Sequence, residues 1–124
     1  MIEIKRIYDF NSAERMKKDN SLKILVDRLW PRGISKEKAN INLWAKDIAP
    51  STELRKWFNH DENKFNEFKE RYFEELNSND YAIKFKREYK NKDIVLLYSA
   101  KDNIHNNAVV LKEWLEKQNE NEEN

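Results

Sequence analysis

The chain has 124 residues, which suits one domain with a core of ordinary size. Its 24 basic and 23 acidic residues leave a net charge of +1, so bulk charge does not indicate a general polyanion binder and any anion site must be local. The absence of cysteine excludes disulfides, thiolate catalysis and cysteine-bound zinc. Without a signal peptide or a long apolar run, we expect a cytoplasmic protein with no membrane partner.

Four segments have the residue pattern of β-strands. Ile2 and Ile4 alternate with polar neighbours, whereas Ile94–Tyr98 is a continuous apolar run typical of a buried parallel strand. The predicted strands are Ile2–Tyr8, Leu22–Val26, Asn40–Ala45 and Asp93–Ser99.

Helical patterns occupy most of the remaining chain. Asn11 and Glu14 resemble a capping box for a short helix to about Lys18, and Ser51 is a good N-cap for a helix to Phe58. Aromatic residues at helical spacing predict a long helix over Asp61–Leu76. Two further helices are predicted to be capped by Asp80 and Asn103.

Strands interleaved with helices predict a single α/β domain over residues 1–118. We expect a small parallel sheet of three or four strands flanked by helices, resembling half of a Rossmann fold. Residues 119–124 have the composition of a disordered polar tail. In such sheets ligands bind beyond the carboxyl ends of the strands.

The scarce residue types cluster after the predicted strands, or at the border of the helix that follows. They are Pro31, Gly33, Pro50, His60 and His105. Loops in these positions carry function more often than stability. The clustering therefore predicts a functional site at this edge of the sheet.

The loop after the second strand presents Arg28, Trp30 and Arg32. Pro31 stiffens this loop and Gly33 permits a positive φ. The chain has 17 lysines but only 7 arginines, so two arginines in one loop indicate that this loop uses the planar guanidinium group. A guanidinium matches the paired oxygens of a phosphate or carboxylate, and the neighbouring indole could stack on a ring. The structural alternative is that Asp27 pairs with Arg28 while Trp30 lies in the core.

Two later segments add candidate residues. Lys46, Ser51 and Arg55 surround a helix N-terminus, which favours an anion, although a capped helix with a surface arginine is the better explanation of this segment taken alone. Lys101 and His105 follow the fourth strand, where Asp102 either orients His105 for general-base chemistry or serves as a plain cap. The helix dipole alone explains His60.

Several functions lack their sequence patterns. One glycine is too few for a P-loop or a dinucleotide-binding motif, and no metal-ligand spacing is present. We therefore expect no cofactor and no metal site. No basic stripe with interleaved aromatic residues indicates a nucleic-acid partner, although nucleic acid is not excluded. A monomer and a homodimer are both compatible with the sequence.

Three motifs resemble one bacterial and archaeal family, the domain of unknown function 488, in its short YeaO-like branch. They are VDRLWPRG at 26–33, LWAKDIAPSTELRKWFNHD at 43–61 and LLYSAKDNIHNNAVVL at 96–111. Short members often read His-Asn-His-Ala at the last turn, where this chain has Asn107 in place of the second histidine. The residues that match the family's motifs are Asp27, Arg28, Trp30, Pro31, Arg32, Gly33, Lys46, Asp47, Pro50, Ser51, Arg55, His60, Lys101, Asp102, His105 and Asn106.

These observations favour binding of a small anionic ligand, phosphate-bearing or nucleotide-like, at the carboxyl ends of the strands. One alternative is an enzyme in which His105 is the acid or base and Asp27 or Asp102 is its partner. Others are a non-catalytic protein-interaction or regulatory domain, and a closed network of ion pairs without a cavity. The ligand-binding residues would be Arg28, Trp30, Arg32, Lys46, Ser51, Arg55, Lys101 and Asn106.

Overall fold

A computed structural model describes residues 1–9 and 20–117 of the chain. Its strands are β1 (Ile2–Arg6), β2 (Leu22–Leu25), β3 (Leu43–Trp44) and β4 (Ile94–Tyr98). All pair in parallel, in the spatial order β1-β4-β2-β3. The predicted α/β class with a small parallel sheet is confirmed.

Five α-helices accompany the sheet within the described residues. They are α1 (Lys36–Ala39), α2 (Thr52–Phe58), α3 (Phe65–Asn77), α4 (Asp80–Glu88) and α5 (Asn107–Glu116). Short 3₁₀ turns cover Ile7–Asp9, Lys46–Ile48 and Glu62–Lys64. In residues 1–9 and 20–117, no helix combines the length and apolar character needed to cross a bilayer. The helix predicted after Asn11 and the predicted tail at 119–124 lie outside the described residues.

The continuous apolar run in β4 is explained by its central position. Every residue of β4 is buried, because the strand lies between β1 and β2 and both faces of the sheet are covered. Ile94, Leu96 and Tyr98 pack in the larger core with the helices, whereas Val95 and Leu97 belong to a second cluster on the opposite face. The alternation follows from the two-residue period of a strand.

Two predicted helix starts are wrong, each because a nearby side chain competes for the backbone. Asn79 rather than Asp80 caps α4, accepting bonds from Tyr81 and Ala82. The cap of α5 is Asn106 rather than Asn103, since the carboxylate of Asp102 accepts the N–H groups of Ile104 and His105 and delays the helix.

All four strands are shorter than predicted; the second and fourth differ by one residue at one or both ends, whereas the first and third differ by more. The first ends at Arg6 because the next three residues form a 3₁₀ turn. The third is confined to Leu43–Trp44, since α1, absent from the sequence prediction, ends at Asn40 with φ 48°. A left-handed residue cannot continue into a strand.

The strand order determines which loops meet. The last strand of the chain is inserted between the first two, so the carboxyl ends of β1, β4 and β2 are neighbours. Ligand crevices in open α/β sheets form where the strand order reverses in this way.

A buried hydrogen bond ties the helical layer to the segment before α2. The phenol of Tyr72, which is fully buried, donates to the carbonyl of Ile48 at 2.7 Å. Burial raises the pKa of Tyr72, so the phenol stays protonated and remains a donor. The bond fixes the position of Lys46–Ile48 relative to α3.

We expect Tyr72→Phe to lower the free energy of unfolding by about 1–2 kcal/mol, because a buried carbonyl loses its donor. Urea denaturation of the parent and the variant measures this difference. Tyr81→Phe is the matched control, since Tyr81 is 37% exposed. Equal losses in the two variants would contradict a structural role for the Tyr72 hydrogen bond.

Candidate functional site

An open cleft of about 790 Å³ lies at the carboxyl ends of β1, β4 and β2, and we call it the site cleft. Three strand ends and the start of α2 supply its walls. The lining residues are Arg6, Tyr8, Asp27, Arg28, Leu29, Trp30, Arg32, Ala49, Pro50, Arg55, Phe58, His60, Phe68, Ser99, Ala100, Lys101, Asp102, Asn106 and Asn107. Eight of the predicted site residues are therefore brought together there.

The carboxylate of Asp27 is the structural centre of the site cleft. One oxygen accepts the Ser99 backbone N–H at 3.0 Å and the Ser99 hydroxyl at 2.7 Å. The other accepts the side-chain amide of Asn107 at 3.1 Å, and that amide also donates to the Val26 carbonyl. These bonds join the end of β2 to the end of β4 and to the start of α5.

The environment of Asp27 opposes its ionisation. Burial raises the pKa of Asp27 above its ordinary value of 3.8, although hydrogen bonds from Ser99 and Asn107 act in the opposite direction. The predicted Asp27–Arg28 ion pair does not form. Arg28 instead donates from Nε to the Pro50 carbonyl and from Nη2 to the Ala49 carbonyl, each at 3.2 Å.

The loop after β2 is held in place by aromatic side chains. Trp30 donates from Nε1 to the Ile34 carbonyl at 2.5 Å and packs edge-on against Trp44, with ring centroids 5.3 Å apart. Trp44 donates to the backbone carbonyl of Asp27 at 2.8 Å. Gly33 has φ 79°, as its place in the loop predicts. The loop is therefore the stiff presenting element that the sequence indicates.

Arginine is concentrated in the site cleft. Among the residues that the structure describes, four arginines line it but only one lysine does. Arg6 donates from Nε to the carbonyls of Ser99 and Ala100, at 3.2 and 2.9 Å. Because Arg6 and Arg28 are oriented by main-chain carbonyls, part of each guanidinium stays available to a ligand.

Three more cations complete the charge of the site cleft. Within residues 1–9 and 20–117, the side chains of Arg32, Arg55 and Lys101 make no hydrogen bond or ion pair with the protein. All three are exposed. In the part of the chain that the structure describes, the lining thus carries five cations and two carboxylates, those of Asp27 and Asp102, although the net charge of the chain is +1.

Lys46 and Ser51 do not line the site cleft. The ammonium of Lys46 lies 5.5 Å from the centre of the Trp44 ring. The Ser51 hydroxyl and N–H donate to the Glu75 carboxylate, at 2.6 and 2.8 Å, and the hydroxyl also caps α2. The anion predicted at this helix start is thus supplied by the protein itself.

The predicted Asp102–His105 pair forms at the edge of the site cleft. His105 Nδ1 lies 2.8 Å from an Asp102 oxygen. Hydrogen bonds from the backbone of His105, from the backbone of Ile104 and from the His105 ring lower the pKa of Asp102 to about 2. His105 itself is not a lining residue, and its ring packs edge-on against Phe65 at 5.1 Å.

One group of side chains has the composition of a metal site. Ligand atoms of Glu62, Asp102 and His105 lie within 4.8 Å of one another. Both oxygens of Asp102 already accept hydrogen bonds. Asp102 caps the turn before α5 and pairs with His105, and these bonds explain the arrangement without a metal ion.

Asn106, the remaining residue predicted to bind a ligand, lies in the wall of the site cleft, but its side-chain amide already forms hydrogen bonds within the protein. Its oxygen accepts the Val109 N–H and its nitrogen donates to the Asp102 carbonyl, both at 3.0 Å. Asn106 is 2% exposed. It therefore caps α5 and shapes the wall.

Sequence reasoning missed Arg6 and Tyr8 as site residues. The sequence pattern places both residues in the first predicted strand. Arg6 reaches the loop after Tyr98 because β1 and β4 pair side by side in the sheet. A scarce arginine at the carboxyl end of a predicted parallel strand was the available signal. His60 and Asn107 were also not selected, although both line the site cleft.

We expect the stability difference between the parent and Asp27→Asn to depend on pH. A raised folded-state pKa means that the folded chain binds more protons than the unfolded chain above pH 3.8. The unfolding free energy of the parent should therefore fall, relative to that of the variant, as pH rises from 3.8 to the folded-state pKa, and then level off. Urea titrations across this range measure it. A relative rise over the same interval would show that hydrogen bonding outweighs burial at Asp27.

Comparison with known proteins identifies the family. A family profile described as "Inactive DUF488-N3 subclade" matches residues 1–124. The chain is 43% identical to the uncharacterized protein YeaO of Escherichia coli K12 over 115 residues, covering 92% of this chain and 96% of the relative. It is also 43% identical to the uncharacterized protein Rv3073c of Mycobacterium tuberculosis over 75 residues, which cover 60% of this chain and 59% of that relative. No solved structure matches. The chain belongs to the inactive DUF488-N3 subclade.

Proposed function

We propose that the chain binds a small, phosphate-bearing anion in the site cleft and performs no chemistry on it. The observation that carries this proposal is the set of cations without a protein partner in the described ranges. Arg32, Arg55 and Lys101 meet at one cleft although the chain has 23 acidic residues available for pairing. Elsewhere in the described ranges, some cations are paired, as in Arg71–Glu67 and Lys69–Glu113.

The form of the cations favours a phosphate. Arginine presents a planar fork that matches two oxygens of a phosphate, whereas lysine acts as a point charge. The bonds of Arg6 and Arg28 to main-chain carbonyls restrict both guanidiniums before a ligand arrives. Less side-chain entropy is then lost on binding, which favours affinity.

The absence of chemistry is supported by Asn107. Asn107 holds Asp27 where the short members that the sequence resembles often carry a second histidine. An amide donates a hydrogen bond to Asp27 but does not exchange a proton with it near neutral pH. The family description also calls the subclade inactive.

The enzymatic alternative based on His105 has less support. Its ring packs on Phe65 outside the site cleft, and its Nδ1 is engaged by Asp102. Because the Asp102 carboxylate is ionised above about pH 2, it accepts a hydrogen bond and leaves the proton on Nδ1. The arrangement orders the turn before α5, which is a sufficient role for the pair.

The test of phosphate binding is calorimetry with inorganic phosphate and ribose 5-phosphate, with citrate as a phosphate-free anion. We expect Arg32→Ala/Arg55→Ala to weaken binding of ribose 5-phosphate by roughly 100-fold, since a hydrogen bond to a charged group contributes about 1.5–3 kcal/mol and about 1.4 kcal/mol corresponds to tenfold.

The matched control is Lys84→Ala/Arg87→Ala, which removes two exposed cations from α4, outside the site cleft. It should leave the affinity for ribose 5-phosphate unchanged. Equal losses in both double variants would show that net charge, not the site cleft, attracts the anion. No binding of either phosphate by the parent would also overturn the proposal.

A further inference from the structure

An exposed aromatic ring at the edge of the site cleft is not explained by anion binding. Tyr8 is 43% exposed, so it contributes little to the core. Its hydroxyl nevertheless donates to the Arg32 carbonyl at 2.8 Å, and the Arg6 guanidinium carbon lies 4.9 Å from the ring centre. The ring is thus fixed at two points while much of its surface faces solvent.

The surroundings of Tyr8 combine charge with an apolar surface. Arg6 links the ring to the main chain beside Lys101, through its bond to the Ala100 carbonyl. The hydroxyl of Tyr8 links the ring to the loop that carries Arg32. Leu29, in the same loop, is 59% exposed and also lines the site cleft. A planar apolar group on Tyr8 would therefore lie in the same cleft as the cations that would hold a phosphate.

The size of the site cleft points the same way. Pockets of roughly 300–1,000 Å³ accommodate organic molecules of the size of drugs and cofactors. The site cleft, at about 790 Å³, is in this range, and an inorganic phosphate would fill only a small part of it. A ligand that fills the site cleft would carry a substantial organic group in addition to its charge.

We propose that this ligand is a nucleoside phosphate whose base stacks on Tyr8 while its phosphate is bound by Arg32 and Arg55. The inference rests on the proposed phosphate binding and adds the chemical class of the ligand. Every base has a π-face, so a tyrosine platform accepts different bases, and removal of such a platform commonly weakens binding several-fold to more than a hundredfold. A mononucleotide and the end of a single strand share this chemistry.

The experiment compares adenosine and cytidine 5′-monophosphates with ribose 5-phosphate, by calorimetry, on the whole chain. The parent should bind the nucleotides about tenfold more tightly than ribose 5-phosphate. Tyr8→Leu should abolish this preference, with an affinity for ribose 5-phosphate equal to that of Tyr8→Phe, since both variants lose the bond to the Arg32 carbonyl. Tyr8→Phe, which keeps the ring but loses the bond to the Arg32 carbonyl, should retain the preference.

The control variant is Tyr81→Leu, which removes an exposed tyrosine from α4 and should change no affinity. If the parent binds ribose 5-phosphate as tightly as the nucleotides, the base contributes nothing and this inference is wrong while phosphate binding stands. If Tyr8→Leu weakens all three ligands equally, Tyr8 only positions Arg32, and the inference is again wrong. If none of the three binds, both proposals fail.

A short single-stranded oligonucleotide with a 5′-phosphate distinguishes the two sources of the base. Tighter binding than the mononucleotides, with the same dependence on Tyr8, would identify a strand end as the ligand. Equal or weaker binding would identify the mononucleotide. In both cases the loss on Tyr8→Leu is the result that supports stacking, and an oligonucleotide affinity that is insensitive to Tyr8 would contradict it.

Discussion

The site cleft depends on the hydrogen bonds made by Asp27. Its carboxylate binds the loop after β4 through Ser99 and the start of α5 through Asn107, while its own carbonyl accepts the indole of Trp44 at the end of β3. A partly buried carboxylate with a raised pKa is costly, and its three donors offset much of that cost. Asp27 therefore fixes the relative positions of the ends of β2, β4 and β3, and the ends of β2 and β4 form part of the cleft walls.

The charge distribution follows from the same framework. The chain has nearly equal numbers of cations and anions, yet the carboxyl ends of β1 and β2 and the start of α2 bring four arginines to one cleft. Main-chain carbonyls orient two of these arginines, and Glu75 occupies the helix start at Ser51. The helix terminus is consequently satisfied within the protein, and the arginines remain for the anion proposed for the site cleft.

The sequence by itself determined the fold class and pointed to eight of the residues that line the site cleft. The apolar run Ile94–Tyr98 required burial on both faces, and the loop residues Arg28, Trp30 and Arg32 followed a strand, as ligand-binding loops do. These inferences succeed because they rest on local patterns. Boundaries were less secure, since Asp102 and Asn106 compete for the same backbone groups before α5 and only their geometry decides between them.

Tertiary structure decided the rest, because it sets which strand ends are neighbours. Nothing in the sequence places β4 between β1 and β2, and without that order Arg6 and Tyr8 remain ordinary residues near the end of a strand. The partners of Ser51 and Asp27 also come from residues distant in the chain, Glu75 and Ser99. Local patterns therefore predicted which segments form the candidate site, and only the packing of those segments determined which side chains face the site cleft.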